Sequence, residues 1–498
     1  MNLENWLEDN EMAAEREILD KVGKYNLSEI KIISYRQDKE ESLPKTIDIK
    51  AITASLFLNE DILSNTLSGS AIVYDSQDIR TVFPLTGLER LSISFNTPGM
   101  PGYDMTEDNG IPFQIYKIDK VTKDPTNDIG QFYRIFFCSP EMLNSQITSV
   151  SKAYSGPIEN AVNDILKNEK YLNSKKPFYF ENTATNSKYV IPSLKPLKAI
   201  NYLATQCVSG KYNNSGYLFY ETSKGFHFRS IESLLAINGA VARPTRWNFQ
   251  PQITQLQDSK KPEVKDIERR MQTVIKYEFD KPVDTLVNII DGLYANRLVV
   301  HDAFNKTIKT HDYNYIKDFG NGYHTETTGD GNDADKHILP NAKFNDTGKG
   351  LNDYPNSKKM VVTETSKVHN DFEFVPTKDT LPKITSQKAV LKNLSLKLLV
   401  YGNTQINAGD IINFTVPVMA PSDKKMANPY TSGRYLVLAI KHTISVETNT
   451  HEMTLQCHKD SVRTPYPKEE DALIVGKENN KVINIYNEDS ETLYGALS

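Results

Sequence analysis

The sequence predicts a mainly β protein with α+β parts. It reads as two similar antiparallel β domains, a small helix-hairpin domain between them and an inserted loop-rich region in the second. Three observations carry this reading. Short runs such as IKIISY, TIDIKAI, SGSAIVYD, RLSISF, FQIYKIDKV and FYRIFF alternate apolar and polar residues and are separated by Gly, Pro, Asn and Asp clusters. Residues 150–240 switch to helical spacing and then to a hairpin. Features of residues 60–145 recur, in order, in residues 290–463.

Taken along the chain, residues 1–24 read as an N-terminal helix, with Leu3, Trp6, Leu7, Met12, Ile18, Leu19 and Val22 near helical spacing. Residues 25–149 form the first β domain. In the α+β domain, 150–240, SGPIENAVNDILKN places Pro157 near a helix start and Ile158, Val162, Ile165 and Leu166 on one side. SLKPLKAINYLATQCV repeats that pattern, with Ser193 as a candidate cap and Leu197, Ile200, Leu203, Ala204 and Cys207 as the stripe. GYLFYETSKGFHFRS is a hairpin turning at Thr222-Ser223-Lys224-Gly225. Residues 241–275 are a polar connecting segment. The second β domain is split into 276–315 and 388–463 by a polar insertion, 316–387, and is followed by a C-terminal extension, 464–498.

The repeat rests on three matches. Ala71-Ile72-Val73-Tyr74-Asp75 is set against Leu298-Val299-Val300-His301-Asp302. A glycine-launched strand, Gly87-Leu88-Glu89-Arg90-Leu91-Ser92-Ile93, is set against Gly409-Asp410-Ile411-Ile412-Asn413-Phe414. A long hairpin whose return strand carries cysteine and then an acidic residue appears as FQIYKIDKV…QFYRIFFCSPE and as RYLVLAIKHTI…HEMTLQCHKD.

The totals narrow the function classes. A chain of 498 residues is long enough for three or four domains on the usual size prior. The 58 basic and 63 acidic residues leave a net charge of −5, which argues against a protein that grips nucleic acid through its phosphates. Cys138, Cys207 and Cys457 are odd in number and far apart, so a reducing compartment and no disulfide framework are expected. The acidic N-terminus lacks the features of a secretory signal. No apolar run reaches the length of a membrane-spanning helix, so no stable membrane insertion is expected.

The stretch HEMTLQCH, His451–His458, begins like a zinc-protease motif but has Leu455 where the second histidine belongs. It also alternates with period two, as does YLVLAIKHTISV before it. Pairing Val446 with His451 through a four-residue loop, Glu447–Thr450, aligns both apolar faces. That register separates His442 from His451 by roughly 13 Å, at about 3.3 Å per residue, and turns His458 away. A packed hairpin is therefore favoured over a shared metal.

The Asp330-Gly331-Asn332-Asp333-Ala334-Asp335 cluster lacks the EF-hand ligand order and reads as a solvated loop. GxxxxGK[ST], GxSxG and GxGxxG are absent, so phosphate cradles and nucleophile elbows have no anchor. Cys138 and Cys457 sit in apolar strands and read as small buried hydrophobes. Tyr217, Phe219, Phe226 and Phe228 read as core aromatics in preference to a sugar or base platform. No catalytic, cofactor-binding or metal-binding residue is assigned, no cofactor is expected, and the chain is not expected to be an enzyme.

PLKAINYLATQCVSGKYNNSGYLFYETSKGFHFRSIESLL, DTLVNIIDGLYANRLVVHD, and AGDIINFTVP followed by SGRYLVLAIKHTISVETNTHEMTLQCHKDS together resemble the baseplate central hub proteins of contractile-tailed, T-even-like bacteriophages. The resemblance spans most of residues 30–463. It implies two β-barrel domains of the tail-tube kind per chain and a homotrimer whose six barrels form a pseudo-sixfold ring. The implied partners are a central spike protein, tail-tube or tube-initiator proteins, tape-measure protein and surrounding baseplate wedge proteins. It implies a place in the virion tail, after assembly in the host cytoplasm, with DNA passing through the channel at ejection without specific binding. A mildly acidic chain suits a passage along which DNA slides. Two other classes compete. A tail-associated cell-wall hydrolase would need an acid pair that the 150–240 domain does not display. A host-glycan-binding baseplate module would need exposed aromatics in the 217–228 hairpin.

Overall fold

Alternation in the first part of the chain does produce strands. In the computed structural model the described residues are 21–35, 45–123, 130–184, 186–212, 214–236, 247–251, 264–281, 284–302, 305–326, 337–338, 347–364, 377–391, 394–416 and 427–462. The predicted N-terminal helix, but for its last four residues, the Asp330–Asp335 cluster and the 464–498 extension lie outside them.

The first unit contains β1 (Asn26–Ile33), β2 (Thr46–Asp48), β3 (Thr53–Asp61), β4 (Ser68–Asp75), β5 (Arg90–Asn96), β6 (Tyr103–Met105), β7 (Phe113–Lys123) and β8 (Gln131–Cys138). Its sheet runs β2-β1-β5-β7-β8-β4-β3, with β6 attached to β5. Every second residue of the long strands points inward, and Leu56, Leu58, Leu91, Phe113, Ile135 and Phe137 meet in one core.

The middle unit follows. α1 (Pro140–Ile147) leads to β9 (Val150–Pro157), α2 (Ile158–Lys167), β10 (Phe178–Phe180) and β11 (Asn186–Leu194). α3 (Pro196–Ala204), the hairpin β12 (Tyr217–Thr222) and β13 (Gly225–Ser230), and α4 (Ile231–Leu235) complete it. The predicted apolar stripes of α2 and α3 pack against Tyr217, Phe219, Phe226 and Phe228. The hairpin turn is shorter than the sequence suggested, because Thr222 already pairs with Gly225. Ser193 does not cap α3. It lies in β11 with φ +47°, and Lys195 precedes Pro196 at the helix start.

The second unit closes on itself. Its strands are β14 (Asn248–Pro251), β15 (Thr273–Lys281), β20 (Ser395–Tyr401), β21 (Ile411–Phe414), β22 (Gly433–Ser445) and β23 (Thr450–His458). They pair in the cycle β22-β21-β14-β15-β20-β23-β22, a six-stranded barrel. All pairs are antiparallel except those of β14, which is parallel to both its neighbours. Part of the predicted connecting segment, 241–275, is thus a barrel stave, and Phe249 sits in the barrel core.

Between β15 and β20 the chain leaves the barrel. β16 (Ala295–Asp302), β17 (Thr307–Asn314) and β19 (Lys359–Glu364) form a separate three-stranded sheet, while β18 (His337–Ile338) pairs with β24 (Ser461–Val462). α5 (Thr377–Val390) packs on β16, where the Asn296 amide donates to the Pro382 carbonyl at 2.9 Å. This corrects the expectation that 276–315 belongs to the second barrel. Only β15 does. An alternating strand is satisfied by any apolar surface, and Leu298 and Val300 are buried outside the barrel, in the sheet on which α5 packs.

The duplication itself is present, in a different alignment. β3, β4, β5, β7 and β8 occupy the same places, in the same chain order and with the same antiparallel neighbours, as β15, β20, β21, β22 and β23. The ladders agree over their central rungs, and each unit adds one bulge that the other lacks, Asp119/Thr122 in β7 and Phe279/Lys281 in β15. Leu58–Gly69–Phe137–Ile115 in the first unit corresponds to Phe279–Leu396–Cys457–Val437 in the second. Two β-bulges recur at equivalent points, Ile115/Lys117 with Val437/Ala439 and Thr53/Ser55 with Val274/Lys276. The turn before β5 recurs too. The Glu89 carboxylate accepts from the Thr86 amide at 2.9 Å, and Asp410 accepts from the Asn407 amide at 2.9 Å.

The counterpart of Ala71–Asp75 is therefore Leu398-Leu399-Val400-Tyr401-Gly402, not Leu298–Asp302. The two cysteines do not correspond either. Cys457 takes the inward place of Phe137, and Cys138 lies one residue further on.

A candidate functional site at the joint between the units

One strand holds the two β units together. The first part of β22, Gly433–Leu436, pairs with β21, and its last part, Ala439–Ser445, pairs with Ser55–Asp61 of β3. The bulge after Val437 separates these two stretches. Ile444 accordingly packs into the first core, while Tyr435, Val437 and Ile440 pack into the second.

At this joint lies a buried chain of polar groups. His442 and His451, both fully buried, face each other with Nδ1 of His442 3.0 Å from Nε2 of His451. Nε2 of His442 is 3.0 Å from the Tyr103 hydroxyl, which donates to Glu60 Oε1 at 2.6 Å. The Ser223 amide donates to Oε1 at 2.7 Å, and the Ala408 amide to Oε2 at 2.9 Å. Glu60 thus links the first unit, the middle hairpin and the second barrel.

With Tyr103 donating to the carboxylate, its oxygen accepts from His442 Nε2–H, and His442 Nδ1 accepts from His451 Nε2–H. His451 Nδ1 is then a bare acceptor, in agreement with its having no hydrogen-bond partner. Burial pushes the Glu60 carboxyl up to about 7, although the Tyr103 hydroxyl and the two amides pull it back. Burial, with the neighbouring His451, holds His442 well below the usual imidazole range, and burial alone takes His451 down to about 3.

The predicted 13 Å between the histidines is corrected. The observed register pairs Ser445 with Thr450 and Ile444 with His451. The loop keeps its four residues but slides back by one, to Val446–Asn449, with Asn449 at φ +49°. A one-residue slide of the loop shifts the register by two. Beyond the bulge after Val437 that leaves the side chains on their predicted faces, so alternation there cannot distinguish the two registers; before the bulge, Tyr435 and Val437 turn into the barrel core in place of Leu436 and Leu438.

Two further buried ion pairs clamp the units. Lys176 Nζ lies 2.5 Å from Glu221 and 3.1 Å from Glu141, and the second Glu221 oxygen accepts from the Leu67 amide at 2.9 Å. Lys459 pairs with Glu326 at 2.7 Å, beside His324 and Asp460 at 2.7 Å. Burial would raise the Asp460 carboxyl, but His324 and the hydrogen bonds from Thr325 hold it far below its ordinary range. Each cation faces at least one buried carboxylate, and breaking such a buried pair by removing one partner is costly, so these contacts fix the geometry between the segments they join.

No protein-family model matches the chain, and no curated protein matches it. Among solved structures it is similar to the tail protein from Neisseria meningitidis MC58, with 8% identity, a TM-score of 0.48, and coverage of 88% of this chain and 97% of that one. It is also similar to the 43 kDa tail protein of prophage MuSo2 from Shewanella oneidensis, with 7% identity, a TM-score of 0.45, and coverage of 87% and 98%. A third is the E. coli c3393 protein, described as a type VI secretion component similar to T4 bacteriophage tail proteins gp27 and gp5. It has 9% identity, a TM-score of 0.37, and coverage of 84% and 76%.

The remaining sequence candidates fall into place. Tyr217, Phe219, Phe226 and Phe228 are buried and stack within the middle core, so the hairpin offers no aromatic platform at these positions. Cys138, Cys207 and Cys457 are buried. Burial pushes the Cys138 thiol up to about 11 and the other two higher still, so none is a ready nucleophile at neutral pH. Among the described residues no group of three or more His, Cys, Asp or Glu side chains is arranged to hold a metal. Glu60, Tyr103, Glu141, Lys176 and Glu221 were missed from sequence. Glu60, between Asn59 and Asp61 at the polar end of its strand, carried no local signal of burial.

Proposed function

We propose that this protein is the structural hub of a contractile phage-tail baseplate, a homotrimeric ring that joins the tail tube to the central spike. The observation that carries the reading is the duplicated five-strand unit, with two bulges at equivalent points, joined edge to edge through β3 and β22. A chain with two equivalent units presents near-sixfold symmetry when three copies close. It can therefore abut a sixfold tube on one side and a threefold spike on the other. The resemblance in sequence to T-even-like hubs supports the same role. In it, the ring surrounds the passage for tape-measure protein and DNA, and wedge proteins meet its outer surface.

The test is the mass and shape of the purified full chain. A particle of three times the 56.4 kDa chain, seen in electron micrographs as a threefold ring with a central channel, is expected. A monomer at high concentration overturns the reading. Hydrolysis of peptidoglycan, or binding on a glycan array, would redirect it to the competing classes.

A further inference from the structure

The buried cluster at Lys176 holds the parts of a reaction. Lys176 lies between α2 and β10, Glu141 on α1 and Glu221 on β12. At most 3% of any of the three side chains reaches solvent. Nζ of Lys176 is 2.5 Å from Glu221 Oε1 and 3.1 Å from Glu141 Oε2. The other Glu221 oxygen, Oε2, accepts from the Leu67 amide at 2.9 Å. The other Glu141 oxygen accepts from the Ser174 hydroxyl at 2.6 Å. The Phe226 ring lies beneath Nζ, its centroid 5.6 Å away. A nitrogen nucleophile, a carboxyl carbon beside it, a second carboxylate on the same nitrogen and a backbone N–H on the far oxygen thus meet in one dry place.

We propose that Lys176 and Glu221 condense into an isopeptide bond in the folded chain, with Glu141 carrying the protons. The observed contacts are those of the reactants. Glu141 takes one proton from the Lys176 ammonium and hands it to Glu221 Oε1, leaving an amine beside a carboxylic acid. Burial raises the Glu221 carboxyl above its ordinary range, which suits it to hold that proton. Burial also works against the Lys176 ammonium, but Glu141 and Glu221 outweigh it and keep the group charged until then. The Nζ lone pair attacks Cδ of Glu221, the Nζ–Cδ bond forms, and negative charge collects on Oε2, where the Leu67 amide receives it. Glu141 moves a second proton from Nζ to Oε1, the Cδ–Oε1 bond breaks, and Oε1 departs as water. Ammonium and carboxylate become an amide and one water. Glu141 is returned unchanged, and no oxidant or cofactor takes part.

The surroundings favour the product. Groups held in reacting position behave as though present at about 10⁵–10⁸ M. Condensation replaces a buried ion pair, costly to desolvate, with a neutral amide. The water formed returns to solvent, whereas the closed site keeps out the water needed to reverse the step. The bond spans 45 residues of sequence and ties the segment after α2 to the hairpin strand that holds Leu67 of the first unit. Cys138, Cys207 and Cys457 form no disulfide, so this is a covalent staple that a reducing compartment leaves intact. It does not depend on how copies of the chain assemble.

Mass spectrometry of the purified full chain, denatured and reduced, tests the bond. The mass should fall below that of the sequence by one water, and a tryptic digest should contain a branched peptide joining the segment of Lys176 to that of Glu221. A chain at full mass overturns the proposal. So does a water lost elsewhere, with the Lys176 and Glu221 peptides found separate. E221A should abolish both the mass loss and the branch. E141Q with the far-UV circular dichroism of wild type should stay at full mass. If that folded variant loses the water as completely as wild type, Glu141 does not carry the protons.

Discussion

Replacing Glu60 with glutamine should flatten the alkaline side of the stability profile. The buried carboxyl sits at about 7 in the folded chain, against an ordinary value of 4.5. A carboxyl raised on folding binds its proton more tightly in the native state. Its contribution is therefore complete below about pH 4.5 and is lost as pH rises through about 7. At about 1.4 kcal/mol per pH unit, wild type should lose roughly 2.5 kcal/mol relative to E60Q between pH 5 and pH 8. His442 and His451 act in the opposite sense. Their folded values lie below 6.5, so their contribution is present above about pH 6.5 and fades as pH falls towards 3. Both variants carry that acid limb, so it cancels in the difference. Urea unfolding followed by near-UV circular dichroism at pH 5, 6, 7 and 8 gives the comparison. Parallel curves for the two proteins across this range would refute the assignment of Glu60 as the proton-linked group at the joint.

Gly402→Ala should destabilise the same joint by several kcal/mol, because a Cβ there would stand 2.0 Å from Nδ1 of the buried His451. Hydrogen exchange at β22 and β23 amides should rise in that variant, and unchanged protection would contradict the close packing. Lys176→Met should cost about 3–5 kcal/mol by leaving Glu141 and Glu221 buried without their cation. Adding E221Q to K176M should recover part of the loss in a thermal melt. A single mutant as stable as wild type would show that the lysine does not neutralise the pair.

Much of the fold could be read from alternation and helical spacing, because those patterns are written in neighbouring residues. Most strands of both β units (β14 excepted), the stripes of α2 and α3, and the burial of Tyr217, Phe219, Phe226 and Phe228 follow from local sequence. What escaped depends on distant pairing. Leu298–Asp302 mimics Ala71–Asp75 through its final His-Asp, whereas the true counterpart, Leu398–Gly402, ends in glycine because His451 fills the space beside it. The hairpin register escaped because a shift of two preserves both faces. Glu60 meets Ser223 and Ala408, and Lys176 meets Glu221, only after folding has brought remote segments together. In the sequence these residues look like ordinary surface charges.

The excursion from the barrel has a further consequence. Lys281 and Ser395 stand opposite each other in the ladder of β15 and β20, so residues 282–394 leave and return at a single rung. In the first unit the same rung, Asn59 opposite Ser68, is bridged by the short turn after β3. The barrel therefore has no topological need for what hangs there, and the entropy of closing such a gap grows only with the logarithm of its length. The sheet of β16, β17 and β19, together with α5, behaves as a cassette plugged into a hairpin tip. Its two stems are fixed by the ladder of β15 and β20, and Glu326, His324 and Thr325 fasten it back to Lys459 and Asp460 just past the end of β23.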